Sequence, residues 1–371
     1  MGSYRPYIFF GSIPLALSFI LLFWVPPFEG SLLFVFLIIV NIFHRTCFTI
    51  VSVPYSSLTA RISDDSEERT KLTTARMLGA SFGTLSISAL GFPIINWFGS
   101  GEESLGFVYL GICSGLAAIL ILAITVKTVK ERNFDIEFSK LPSFSEVSKS
   151  IVNNYAFLIV FASTLTLITT SIMFNKNLIY YTKYALGLHE FQGLILGVSS
   201  ASAFLAIPIW AYFALKIGKR NSWLISMSLL VFSFLFFYLY PIKNLIELLI
   251  VLIALGIGNG ATGVLFWSML PDTIEYGEWK TGVRTESSLY GFMTFAQKGG
   301  IAISALILGM LLTNIGFIPN TVQSEETLES LKSLMTFIPL AGVVLSFILV
   351  YFYPIDSKFH KKLIREINER S

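Results

Sequence analysis

No aspartate or glutamate lies in the interior of any long apolar stretch of this 371-residue chain. Charged residues of either sign make up only 13% of it, about half the share of an ordinary soluble domain. Most of the chain therefore does not face water. There is no Walker phosphate loop, which argues against ATP as an energy source. Two cysteines, Cys47 and Cys113, sit in apolar runs. They read as small buried hydrophobes and exclude a disulfide framework. Of three histidines only His44 falls inside an apolar run, which argues against a zinc centre. Gly256, Gly258 and Gly260 form a G-x-G-x-G run without a strand–turn–helix setting. That run reads as helix packing or a hinge, not as a dinucleotide fingerprint. The net charge of +3 is too small to suggest a nucleic-acid partner.

What is present is apolar. Hydrophobic residues reach 54%, with 34 Phe and a mean hydropathy of +0.72. A membrane-spanning helix needs about 20 apolar residues. Ten segments qualify, near 7–26, 32–59, 72–98, 105–127, 152–181, 190–215, 222–241, 244–270, 287–314 and 331–354. The opening run is too long for a signal-peptide core, and Pro6 breaks a myristoylation pattern. The expected fold is an all-α membrane protein. Its expected parts are a helix bundle over 1–127, a polar central loop over 128–151, a six-helix bundle over 152–355 and a tail over 356–371. Four spans against six is uneven for a transporter built from two equal halves.

Lysine and arginine set the orientation. With the N-terminus in the cytoplasm, 19 of the 26 fall on the inner side and four on the outer. Both termini are then cytoplasmic.

The remaining three, Arg45, Arg76 and Lys298, lie within spans. A charge at that depth costs a few kcal/mol or more, and such groups tend to be functional. Lys298 is 12 residues past Glu286, roughly 18 Å along a helix and so near mid-membrane. Thr294, Gln297 and the pair Gly299–Gly300 surround it. It reads as a cavity-facing cation for a polar or anionic substrate, or as half of a structural ion pair. Arg45 heads a stripe of Thr49, Ser52 and Ser56 on one helix face. Forked guanidinium donors above hydroxyls suit a sugar or carboxylate. Helix packing with hydroxyls bonded back to the i−4 carbonyl is the alternative. Pro54 should kink or loosen that helix. Arg76 is near a span end, where snorkelling competes with a binding role. Trp210 and Trp267 could stack on a sugar face or belong to the core.

The stretch Pro271-Asp-Thr-Ile-Glu-Tyr-Gly-Glu-Trp-Lys-Thr-Gly-Val-Arg-Thr-Glu286, followed by Lys298-Gly-Gly, resembles the glycoside–pentoside–hexuronide:cation symporters of the major facilitator superfamily. Val53-Pro-Tyr55, Glu68-Arg69 and Ile315-Gly-Phe-Ile-Pro-Asn320 support the resemblance, which covers essentially the whole chain. It implies a major facilitator fold of two six-helix bundles. The opening Gly2-Ser-Tyr-Arg-Pro-Tyr7 resembles the end of the loop between the second and third spans, so two spans are expected to precede it. The implied activity is cation-coupled symport of a sugar, glycoside or sugar acid, with no enzyme chemistry. The residue pattern and the resemblance together give Arg45, Thr49, Ser52, Tyr55, Ser56, Arg76, Thr294 and Lys298 as the expected substrate contacts. Ser52 and Ser56 replace an aspartate and a sugar-stacking tryptophan of the melibiose-transporting members, which sets melibiose apart. Asp272, Glu275, Tyr276, Glu278 and Arg284 are expected on a cytoplasmic gating loop. The coupling ion is Na⁺ or H⁺, with no cofactor or metal. The expected setting is a monomer in a bacterial inner membrane. A lipid or other amphiphile transporter of the same fold, or a non-transporting fragment or sensor, are the alternatives.

Overall fold

Backbone polar groups in lipid have no water to bond, so the apolar runs must close their hydrogen bonds within helices. The computed structural model describes residues 4–63, 65–99, 102–129, 131, 144–319 and 321–369. Its helices are α1 (Arg5–Phe23), α2 (Gly30–Ile62), α3 (Ser66–Gly99), α4 (Glu103–Thr128), α5 (Phe144–Asn153), α6 (Tyr155–Tyr184), α7 (Gln192–Ile217), α8 (Lys219–Leu239), α9 (Leu245–Thr281), α10 (Glu286–Asn314), α11 (Glu325–Tyr351) and α12 (Ser357–Asn368). Nine of the described helices are long and apolar enough to cross a membrane. The expected span over 72–98 lies within α3. Most of the expected central loop falls outside the described residues, apart from α5.

Two compact units divide the chain. The first holds residues 1–64 and 79–141, the second residues 65–78 and 142–371. The sequence division near 127–152 assigned all of 65–78 to the first bundle. In the structure the opening turns of α3 cluster with the second unit. In the first unit α1 packs on both α2 and α4. Ile8, Val51, Leu58 and Val126 form its buried cluster. The Arg5 Nε donates to the Val126 carbonyl at 2.8 Å.

The second unit is organised around α9, which packs on α6, α7, α8, α10, α5 and α12. The glycine run explains how neighbours come so close. A Cβ on Gly256 would stand 2.7 Å from the Ser199 carbonyl oxygen, and one on Gly260 2.5 Å from that of Ala203. A Cβ on Gly258 would meet Leu230 at 2.6 Å. Two of these glycines admit α7 and the third admits α8, which is the packing role rather than a hinge. Trp210 belongs to the same seam. It is buried, and its Nε1 donates to the Ile257 carbonyl at 2.7 Å. It is core and offers no face to a sugar. α2 continues through Pro54 as one helix.

Candidate functional site

The first correction concerns the expected gating loop. α9 does not stop at 270 but runs through Pro271 to Thr281, where Gly282 adopts a left-handed conformation (φ 73°) and ends it. Asp272, Glu275, Tyr276 and Glu278 are therefore helical, and only 282–285 link α9 to α10. Proline inside a helix loses one hydrogen bond, yet packing on all sides holds this segment. Asp272 is 3% exposed and Glu275 1%.

Spacing along the helix puts these two carboxylates on one face. Three other elements answer them. Arg69, on the first turns of α3 and fully buried, bonds Glu275 and lies 3.7 Å from the Asp272 carboxylate. Lys219, at the start of α8, donates to Asp272 Oδ2 and to the Ser268 carbonyl, each at 2.7 Å. His360, on α12, places Nε2 2.6 Å from Glu275 Oε2 and 3.7 Å from Asp272 Oδ1. Two carboxylates thus face one guanidinium, one ammonium and one imidazole, all within the second unit.

Burial alone would lower the His360 basicity, but the Asp272 and Glu275 carboxylates outweigh it and hold its pKa above the ordinary histidine value. Asp272, Glu275 and His360 present ligand atoms within 4.8 Å of one another. Arg69 and Lys219 already balance the two negative charges, so the group offers a metal cation no net attraction. The sequence reading missed His360, having placed it in the tail. The available signal was the amphipathic pattern of α12, in which His360 and Leu363 share the buried face while Lys358, Lys361 and Lys362 face outward. Trp279 Nε1 donates to Glu366 at 2.6 Å and secures the same helix.

Arg284 forms a separate knot. Its NH1 and Nε each lie 2.5 Å from a carboxylate, of Glu278 and Glu286 respectively. Burial opposes its charge, but Glu286 and Glu278 more than compensate and raise its pKa. Arg284 thus pairs at the α9–α10 link, apart from the Asp272–Glu275 cluster.

The proposed substrate contacts fall on both units. On the first, Arg45 and Thr49 are exposed on α2, Ser52 and Tyr55 are half-buried, and Ser56 is buried. The Thr49 hydroxyl donates to the Arg45 carbonyl at 2.8 Å. Tyr55 packs against the Ile8–Val51–Leu58 cluster. On the second, Arg76 is half-buried with its guanidinium 4.2 Å from the Trp267 ring centroid. Trp267 in turn stacks on Tyr290, with centroids 6.1 Å apart. Thr294 is half-buried and donates to the Tyr290 carbonyl at 2.9 Å. Lys298 is exposed one turn further along α10. Gly300 faces α6, where a Cβ would lie 3.1 Å from Ile168. The glycine pair thus gives close approach, and α10 runs through it unbroken.

Comparison with known proteins places this architecture. The family model described as MFS/sugar transport protein matches residues 1–357. The chain belongs to that family. This MFS/sugar transport protein is a multi-pass membrane transporter and not an enzyme. It is 27% identical over 375 residues to an Escherichia coli protein named glucuronide carrier protein homolog, covering 100% of this chain and 81% of that one. It is 28% identical to the isoprimeverose transporter of Lactiplantibacillus pentosus, over 100% of this chain and 77% of that protein. Among solved structures, the Escherichia coli fucose:proton symporter superposes with a TM-score of 0.69 at 14% identity, covering 95% of this chain and 85% of that one. A major facilitator proton:xylose symporter gives 0.62, also at 14% identity, covering 94% and 80%. Both likenesses establish the major facilitator fold.

Proposed function

We propose that this MFS/sugar transport protein carries out cation-coupled symport of a sugar acid or glycoside by alternating access. The observation that carries the reading is the set of three cations, Arg45, Arg76 and Lys298, on otherwise apolar helices that lack interior carboxylates. Such a set suits a polar solute bearing negative charge or several hydroxyls. The names of two relatives, glucuronide carrier protein homolog and isoprimeverose transporter, support the same substrate class. Candidate contacts on the first unit are Arg45, Thr49, Ser52, Tyr55 and Ser56. On the second they are Arg76, Thr294 and Lys298, with Arg76 steadied by the Trp267 face. The reading sets the chain as a monomer in a bacterial inner membrane, both termini cytoplasmic, with Na⁺ or H⁺ as coupling ion.

The Arg69–Glu275–Asp272 cluster is the proposed latch. It ties the opening of α3 to α8, α9 and α12, so opening this end requires charges buried together to separate. Counterflow of labelled neutral glycosides, sugar acids and sugar sulfonates in proteoliposomes tests the substrate class. Exchange of a sugar acid or glycoside is the expected result. Exchange confined to an amphiphile such as a lysolipid would replace the reading.

A further inference from the structure

We propose that His44 is a proton-binding site, loaded through Nε2 when an anionic sugar binds beside it. The inference rests on the sugar reading above for its substrate and on the geometry of α1 and α2 for its site.

The residues of the spans narrow the choice. In the spans of this sequence the carboxylates lie toward helix ends, as Asp272, Glu275 and Glu278 do on α9, and histidine is the side chain whose ordinary titration falls between about pH 5 and 8. His44 is the one histidine within an apolar span.

Its surroundings fix which nitrogen is available. The Ser18 hydroxyl donates to the Leu15 carbonyl at 2.8 Å, so its single hydrogen is committed there. His44 Nδ1 lies 3.1 Å from the same oxygen, and with the hydroxyl hydrogen on the shorter Leu15 bond Nδ1 is the donor. Ser18 is fully buried, which keeps water from competing for that bond. The neutral ring is thereby held as the Nδ1–H tautomer, with the Nε2 lone pair left to accept a proton. Phe19 lies against the ring, with centroids 5.6 Å apart.

The charged groups around it set the linkage. On α2 the neighbours are Arg45, adjacent in sequence, and Cys47, three residues on. On α1, which packs on α2, the other ionisable groups are Arg5 and Tyr7 at its start, 11 or more residues from Ser18. α4, packed on α1, carries Tyr109 and Cys113 in its interior. Arg45 is therefore the charge that opposes protonation of the imidazole. A carboxylate or sulfonate paired with Arg45 cancels that opposition and favours the imidazolium. Coupling between sites is reciprocal, so the proton in turn tightens the anion. The proton comes from water on the outer side, rests on Nε2 and leaves to water on the inner side, with no other bond made or broken.

The test uses protein labelled with ¹⁵N-histidine, which carries three such residues, His44, His189 and His360. The His44 signal is assigned with His44→Gln. Neutral His44 is expected as the Nδ1–H tautomer. Methyl glucuronide is expected to raise its titration midpoint by about one pH unit, a tenfold coupling. In proteoliposomes, accumulation of the same probe under an inward-directed pH gradient should fall to the equilibrium level in His44→Gln, with the His189 and His360 signals in place as evidence of folding. If that variant does not fold, Ser18→Ala should shift neutral His44 toward the Nε2–H tautomer. Full accumulation by His44→Gln, or an Nε2–H tautomer in the unaltered protein, would overturn the proposal. If no anionic sugar is exchanged by the unaltered protein, the sugar reading fails. The titration then decides the site by itself: uptake of a proton by His44 between about pH 5 and 8 supports it, and none refutes it.

Discussion

The two units handle polar groups in opposite ways. In the second, Asp272, Glu275, Arg69, Lys219 and His360 come from four helices and satisfy one another in a dry cluster. In the first, the hydroxyls of α2 turn back on their own helix, Thr49 to the Arg45 carbonyl and Ser57 to that of Val53, at 2.8 and 2.9 Å, and contacts between helices are single bonds such as Arg5 to the Val126 carbonyl. The first arrangement is cooperative and fails if one member is removed. The second is modular, and each member can be lost alone. Packing follows the same division, since more than half of the apolar stretch of α9 is buried and less than a fifth of that of α2.

The sharpest way to break the comparison is to remove one charge from the cluster. Glu275→Ala strands Arg69 and His360 in a buried site and should cost about 3–5 kcal/mol. Thermal unfolding in detergent should show the loss. Replacing Arg69 and Glu275 together by methionine should cost less than Glu275→Ala, because the permanently charged guanidinium is no longer stranded and His360, the other group that loses Glu275, can give up its proton. A double variant worse than the single would deny the cooperative reading.

Overpacking comes next. Gly256→Val forces a side chain against the Ser199 carbonyl and Ser202, and about 1–3 kcal/mol should be lost. The same change at Gly299, where a Cβ meets nothing within 4 Å, should be milder.

The pH dependence of α12 is a smaller effect with a definite sign. The His360 pKa is raised in the fold, above an unfolded value near 6.5. Its contribution is therefore complete below about pH 6.5 and is lost as pH rises through the raised value. Hydrogen exchange of α12 should quicken over that interval, and His360→Gln should flatten the dependence. At the small end, Thr49→Val should change stability by no more than about 0.5 kcal/mol, as expected where only a back-bond to its own helix is lost.

Helix positions, the Gly256–Gly258–Gly260 seam and the cationic spans were legible in the sequence because each depends on local pattern. The end of α9 was not. Pro271, Asp272, Glu275 and Glu278 together read as a polar loop, and nothing nearby in sequence shows that Asp272 and Glu275 are neutralised. Their partners lie far along the chain: Arg69 is 206 residues from Glu275, and His360 is 85. Charge pairing at that range depends on tertiary packing. Trp267 was legible only as an aromatic that could stack on a sugar face or belong to the core. That its ring supports Arg76 depends on the approach of α3 to α9, which no spacing encodes.

The central claim is that intramembrane cations bind the transported solute. Its most direct test is counterflow of labelled methyl glucuronide in proteoliposomes, comparing the unaltered protein with Lys298→Ala and Lys298→Arg. The account predicts that exchange drops at least about tenfold in Lys298→Ala, the loss of one charge-assisted hydrogen bond, and recovers in part in Lys298→Arg. Equal exchange by all three proteins would contradict it.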